Sequence, residues 1–173
     1  CAGYTIECTP SGLPLIYDRL KEHAALVEEI DLHKPDLCCL TIQRNGENWP
    51  FLVVAQSCEP HGVGFEPGAI LVPETKVLFI GAGERLLAYR IDPLTKLWED
   101  RADTGFLGWD QHADTILLSA ELEFAAWTTN GQKMWTLFVE PPWHYTIAGD
   151  MVKLDVMGAQ QSFRLKEGPQ KQR

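Results

Sequence analysis

Three histidines in this chain sit beside acidic residues, which is where metal or acid–base chemistry would start. His112 closes the string WDQH with Asp110 two residues before it, and His144 lies in EPPWHY with Glu140 four residues before it. His61 stands on a glycine- and proline-rich stretch beside Cys58 and Glu59. A zinc or iron site needs three such ligands, usually with two at short spacing on one element, and no two of these histidines are close in sequence. A site would therefore have to be assembled by the fold. Glu121 and Glu123 flank Leu122 at strand spacing, so alternation predicts both carboxylates on one face, where paired acids could exchange protons across a cleft or form a solvated edge. Glu84 could join them through the internal repeat described below.

No serine elbow appears, and Ser119 falls inside an apolar strand. Cys58 is the best-placed thiol, though a neighbouring glutamate in sequence does not lower a thiol pKa. The glycine turn GAGER at Gly81–Arg85 is followed by no helix and reads as a hairpin rather than a phosphate cradle. Trp143 follows the rigid pair Pro141-Pro142 and is expected at the surface, where tryptophan serves as a binding anchor. The aromatic cluster Trp98, Phe106, Trp109, Trp127, Trp135 and Phe138 reads as mostly core, though Trp109, beside Asp110 and His112, joins the candidate set. The candidate binding set is thus Trp143, His144, Glu140, Trp109, His112, Glu121, Glu123 and His61, with no catalytic or metal assignment and no cofactor.

The composition narrows the partners. The formal charge of -9 argues against sequence-independent binding to nucleic acid, whose affinity comes from lysine and arginine displacing counterions, and suits a basic protein partner. A hydrophobic fraction of 45% with 23% charged residues is that of a globular domain, and no apolar run is long enough to cross a bilayer. Five cysteines, two of them adjacent at Cys38-Cys39, read as reduced thiols and a cytoplasmic location. The alternative is a chain lipid-anchored through Cys1.

The elements that must position these residues are mostly strands. Ile16, Leu20, Ala24, Val27 and Ile30 fall at helical spacing and predict one helix within Leu15–Ile30, ended by Pro35. Leu37–Arg44 and Trp49–Gln56 read as a hairpin around Asn45-Gly46, after a short first strand near Tyr4. From Ala69 onward short strands alternate with explicit turns, predicting a mainly β, antiparallel meander in which sequence neighbours pair. The expected organisation is one domain over 1–173: a helix and hairpin cap over 1–68, β repeats over 69–168, and a disordered tail over 169–173.

The β region repeats itself. VLFIGAGERLLAYRIDPLTKLW, ending at Trp98, and TILLSAELEFAAWTTNGQKMW, ending at Trp135, align with Ile80 on Leu118, Tyr89 on Trp127 and Trp98 on Trp135. A fainter copy places Leu154 on Leu118 and Phe163 on Trp127, and a period of about 37 residues is that of propeller blades. The string LLAYRIDPLTKLWE resembles the quinoprotein-type (PQQ-type) β-propeller blade motif through Ala88, Asp92, Thr95, Lys96 and Trp98. The resemblance implies propeller-blade-like units, here a partial propeller or stacked sheets, with the small alanine allowing close packing and the tryptophan covering the joint between sheets. Cofactor binding at the centre of a closed ring is not carried over.

Two functions from different classes follow. The first is a non-enzymatic protein-binding module, with an immunity or adaptor protein against a basic partner as its concrete form. The second is a hydrolase using Glu121, Glu123, His112 or His144 between sheets. A structural fragment of a larger propeller-like assembly is a third.

Overall fold

Alternation and turn chemistry account for nearly every strand in the computed structural model, which describes residues 3–60, 62 and 64–170. His61, Cys1 and the tail residues 171–173 lie outside the described residues. The first third holds β1 (Tyr4–Thr9), α1 (Tyr17–His23), β2 (Leu26–Ile30), β3 (Leu37–Arg44) and β4 (Leu52–Ser57). Their sheet has the order β1-β3-β4-β2. The second sheet is β5 (Gly68–Val72), β6 (Val77–Ala82), β7 (Arg85–Ile91) and β8 (Leu94–Arg101). The third is β9 (Phe106–His112), β10 (Thr115–Ala120), β11 (Glu123–Thr128) and β12 (Lys133–Phe138), and the fourth is β13 (Trp143–Ala148), β14 (Met151–Val156) and β15 (Ala159–Arg164). Sheets two to four pair sequence neighbours antiparallel throughout. The fold is mainly β, built of blade-like units with one short N-terminal helix.

The predicted helix over Leu15–Ile30 is corrected to the single element α1, and its second half is the strand β2. Ala24 turns extended, at φ -75 and ψ 141, and β2 then runs parallel to β4. The residues obey period two once they pair. Leu26 and Ile30 pack between the first and second sheets, while Val27 packs on the outer face against α1. Glu28 on the sheet side receives the Tyr89 hydroxyl proton and Lys96 Nζ at 2.9 Å, and Glu29 on the helix side receives Tyr17 and Lys21, each at 2.8 Å. The helical spacing of apolar residues across 24–30 was produced by two opposite buried faces, each with its own neighbours.

The sheets stack in chain order. One apolar core lies between the first and second, joining Leu40, Leu52 and Val54 to Leu78, Ile80 and Tyr89. The next joins Phe79 and Ala88 to Leu118 and Trp127, and the third joins Phe124 and Ala126 to Leu154 and Phe163. No core cluster of described residues joins the first sheet to the fourth. The repeat is visible in these cores: Ile80 and Tyr89 face the sheet before theirs, as do Leu118 and Trp127, and as do Leu154 and Phe163. Fully burying each such side chain contributes about 1.5–3 kcal/mol before chain entropy is set against it.

The tryptophans fasten the joints. Trp98 on β8 donates its indole proton to the Gly131 carbonyl of the third sheet at 2.6 Å, and Trp135 on β12 donates to the Leu165 carbonyl at the end of the fourth, also at 2.6 Å. The fourth sheet has no equivalent tryptophan. Its outer face carries His144, Thr146, Lys153, Asp155 and Gln160, all polar.

Candidate functional site

The third and fourth sheets part at the end where β13 begins. The segment leading there cannot continue β12, because Pro141 and Pro142 offer no backbone N–H to a ladder. Pro142 instead accepts from the Met157 N–H at 3.0 Å, which draws the start of β13 against the β14–β15 turn. Trp143 is delivered to the lip of an open groove of about 390 Å³, walled by Leu107, Ser119 and Glu121 opposite Pro141 and Pro142, with Tyr145 deeper in.

Trp143 is half-buried and held from two directions. Its indole N–H donates to the Glu121 carbonyl at 3.1 Å, and its ring lies 5.4 Å from Phe124 and 6.3 Å from Tyr145, nearly parallel to the latter at 22°. Tyr145 stacks on Phe124 at 4.5 Å and donates to Asp110 Oδ2 at 3.3 Å. Burial, with the Asp110 carboxylate beside it, pushes the Tyr145 phenol up to about 12. The floor of the groove is therefore an ordered aromatic stack whose one hydroxyl stays protonated.

Its charge is one-sided. Glu121 lines the groove, Glu140 precedes Pro141 and is exposed, and among the described residues neither carboxylate has an ion-pair or hydrogen-bond partner. Elsewhere Glu28, Glu84, Glu99, Asp100 and Asp114 are each paired with a lysine or arginine.

The other candidates are dispersed. Glu123 is corrected from a partner of Glu121 to a buried anchor on the opposite side of the third sheet, 6% exposed. It accepts from the Asp103 N–H at 3.0 Å and the Thr136 hydroxyl at 2.6 Å, with Lys133 Nζ at 3.5 Å. Glu121-Leu122 is the tight turn between β10 and β11, so strand alternation does not carry across it. Trp109, expected with the aromatic cluster to be mostly core, is partly buried and packs against the core between the second and third sheets, 5.5 Å from both Phe79 and Trp127. His112 meets the Gly149 carbonyl through Nε2 at 3.0 Å, beyond the far end of β13, whereas His144 is exposed near its start, where it lines both the groove and the outer face of the fourth sheet. The structure thus does not bring His112, His144 and Glu123 together. Among the described residues no group of three or more His, Cys, Asp or Glu is placed to hold a metal ion. Cys58 is buried, and that burial raises its thiol pKa.

Leu107 and Tyr145 complete the groove and were not singled out by sequence. A bulge explains Leu107: Ala120 pairs with Phe106 and Ser119 with Gly108, leaving Leu107 as the extra residue, 43% exposed. The same bulge turns Trp109 to the side of Phe106, which alternation alone would not do. A bulge has no reliable mark in a single sequence, so neither side-chain direction was legible there.

The fold defines a stack of blade-like β-sheets with an open groove at one joint. No family model matches the chain, and no curated protein matches it. Among solved structures it is similar to BamB from Moraxella catarrhalis, at 10% identity and a TM-score of 0.49 over 74% of this chain and 40% of that one. It is also similar to BBS1N, solved in complex with ARL6DN, at 9% identity and a TM-score of 0.39 over 94% of this chain and 48% of that one. A third is Hsv2 from Kluyveromyces lactis, at 8% identity and a TM-score of 0.33 over 58% and 33%. The chain spans between a third and a half of the length of each of these three structures.

Proposed function

We propose that this chain is a non-enzymatic protein-binding module that takes up a basic segment of another protein in the groove beside Trp143. The observation that carries the reading is the unpartnered Glu121 in the wall of the groove beside a half-exposed indole already fixed by its own hydrogen bond, with the exposed Glu140 just before Pro141 in the chain. A rigid aromatic anchor needs little ordering when a partner arrives, and uncompensated carboxylates favour cationic partners over others. The net charge of -9 adds a long-range attraction of the same sign. In its most specific form the module is an adaptor or immunity protein that holds a basic partner.

Photo-cross-linking in the native cell tests this. A benzophenone amino acid placed at Leu107 should give one dominant adduct with a basic protein, and the same group at Thr146, on the outer face, should not. Glu140→Lys should abolish the Leu107 adduct. Equal adducts from both positions, or none from Leu107, would remove the proposal.

A further inference from the structure

The three later sheets repeat one plan, and the fourth sheet stops one strand short of it. In the second and third sheets an outer strand lies beyond the third, β8 on β7 and β12 on β11, whereas among the described residues no strand lies beyond β15. The positions correspond residue by residue. Tyr89, Trp127 and Phe163 face Leu78, Ile116 and Val152 across the preceding strand. One residue earlier, Ala88 and Ala126 each pair with a tryptophan of the outer strand, Trp98 and Trp135, where the register shifts. Their counterpart is Ser162, which has Lys153 on one side and an open edge on the other.

The turn that leads into the outer strand is also repeated. The Gly131 N–H donates to the Thr128 carbonyl and the Gly168 N–H to the Arg164 carbonyl, both at 2.9 Å, and each glycine lies against the tryptophan of the sheet before. Then the two paths differ. The Thr128 N–H reaches the Gln132 carbonyl and begins the ladder to β12, whereas Pro169 and Gln170 join no strand. Glu167–Gln170 instead line an open groove of about 400 Å³ together with Gln161–Arg164 of β15. The Leu165 N–H is bonded to the Asp150 carbonyl at 2.8 Å, so alternation turns the N–H and C=O of Ser162 and Gln160 away from β14. Gln160–Ser162 are exposed and carry no charge, proline or bulge, the devices that blunt an edge.

We propose that the β15 edge takes up an extended segment of a partner protein as the outer strand of the fourth sheet, antiparallel to β15 and with a tryptophan opposite Ser162. Backbone hydrogen bonds to Ser162 and Gln160 hold the segment, and the indole selects it. Trp98 and Trp135 both turn toward the following sheet. The same direction lays the partner's indole on the outer face of the fourth sheet, over the shallow hollow of about 390 Å³ that Thr146, Lys153 and Ser162 help to line. Lys153 stands there where Phe79 and Leu117 stand in the earlier sheets, and a lysine can meet an indole face with its cation and its methylene stem. This contact is independent of the groove beside Trp143.

The test uses the whole chain and a capped peptide with the sequence of the third sheet's outer strand, Gln-Lys-Met-Trp-Thr-Leu-Phe, titrated to millimolar concentration and followed by ¹H–¹⁵N NMR with amide exchange. The Ser162 and Gln160 amides should shift saturably and exchange more slowly once the peptide is bound. A peptide with alanine for tryptophan should bind about tenfold more weakly. A peptide N-methylated at the tryptophan, which keeps the ring and loses a ladder donor, should be weakened as well. Ser162→Pro removes an outward N–H and should abolish binding while the Trp135 and Trp143 indole resonances stay in place, which separates the edge from the fold. No slowing at Ser162 and Gln160, or equal binding of the alanine peptide, would overturn the proposal. Slowing of these amides on raising the protein concentration alone would assign the edge to a second copy. A benzophenone at Gln161 that cross-links within its own chain in the native cell would assign it to that chain, and either result would overturn the assignment to a partner.

Discussion

The indole of Trp143 is tied to the backbone of Glu121 by a 3.1 Å hydrogen bond, so the first residue of the fourth sheet is fastened to the β10–β11 turn of the third. The Trp143 ring and the backbone of Glu121 therefore move as a unit. Trp143→Phe should keep the contact with Phe124 and lose this bond, lowering stability by about 1 kcal/mol in urea unfolding. The same variant should weaken capture of a basic partner by more than that loss of stability explains. Unchanged capture would mean the ring is not the anchor.

Glu123 should behave as a structural residue. Glu123→Ala removes the acceptor shared by the Asp103 N–H and the Thr136 hydroxyl, and the loss of these two hydrogen bonds should cost about 1–3 kcal/mol. Glu121→Gln, with no side-chain partner to lose, should stay within about 0.5 kcal/mol of the parent. Urea midpoints that rank the two the other way would contradict the separation of these carboxylates.

Gly81 is required for the second and third sheets to close together. A β-carbon there would lie inside the contact shell of the Phe106 ring, so Gly81→Ala should destabilise by about 1–3 kcal/mol. Gly81→Ala with Phe106→Leu should cost less than the sum of the single changes, because the smaller side chain makes room. Strict additivity in denaturant unfolding would show that the ring does not set the constraint.

The alkaline limb of the stability profile should carry a tyrosine signature. The folded-state value for Tyr145 is raised to about 12, against about 10 in an unfolded chain. A raised value favours the protonated folded form, so this stabilisation is fully present below about pH 10 and is lost as pH rises from there toward 12. Tyr17, buried and bonded to Glu29, shifts in the same direction. Tyr145→Phe should flatten the decline above about pH 10 in part, with Tyr17 and the buried thiols of Cys38, Cys39 and Cys58 contributing to the rest, and an unaltered slope in that window would refute the assignment.

Much of the architecture was legible because it is local. The turn at Asn45-Gly46, the tight turns after Ala120 and Ala148, and the runs Thr115–Ala120 and Met151–Val156 define their strands through neighbours a few residues away. The correspondence of Trp98 with Trp135 was visible as repetition, and both do bridge successive sheets. The site was less legible. Trp143, Glu121, Glu140 and His144 lie at or around the groove, whereas Trp109 and Glu123 are inside the protein and His112 is at the other end of the joint.

By itself, then, the sequence determined the strands and turns of the three later sheets and the recurrence of their buried positions, since period two and turn geometry act over a handful of residues. Tertiary structure decided that Leu26–Ile30 is a strand, because its two apolar faces acquire meaning only when β4 and α1 are beside it. It also decided that Leu107 projects while Trp109 turns inward, because a single unpaired residue opposite Ser119 and Ala120 resets the alternation. Finally, it decided which carboxylates stay uncompensated: Glu121 and Glu123 are two residues apart in the chain, and only the turn between their strands puts one in the groove and the other in the interior.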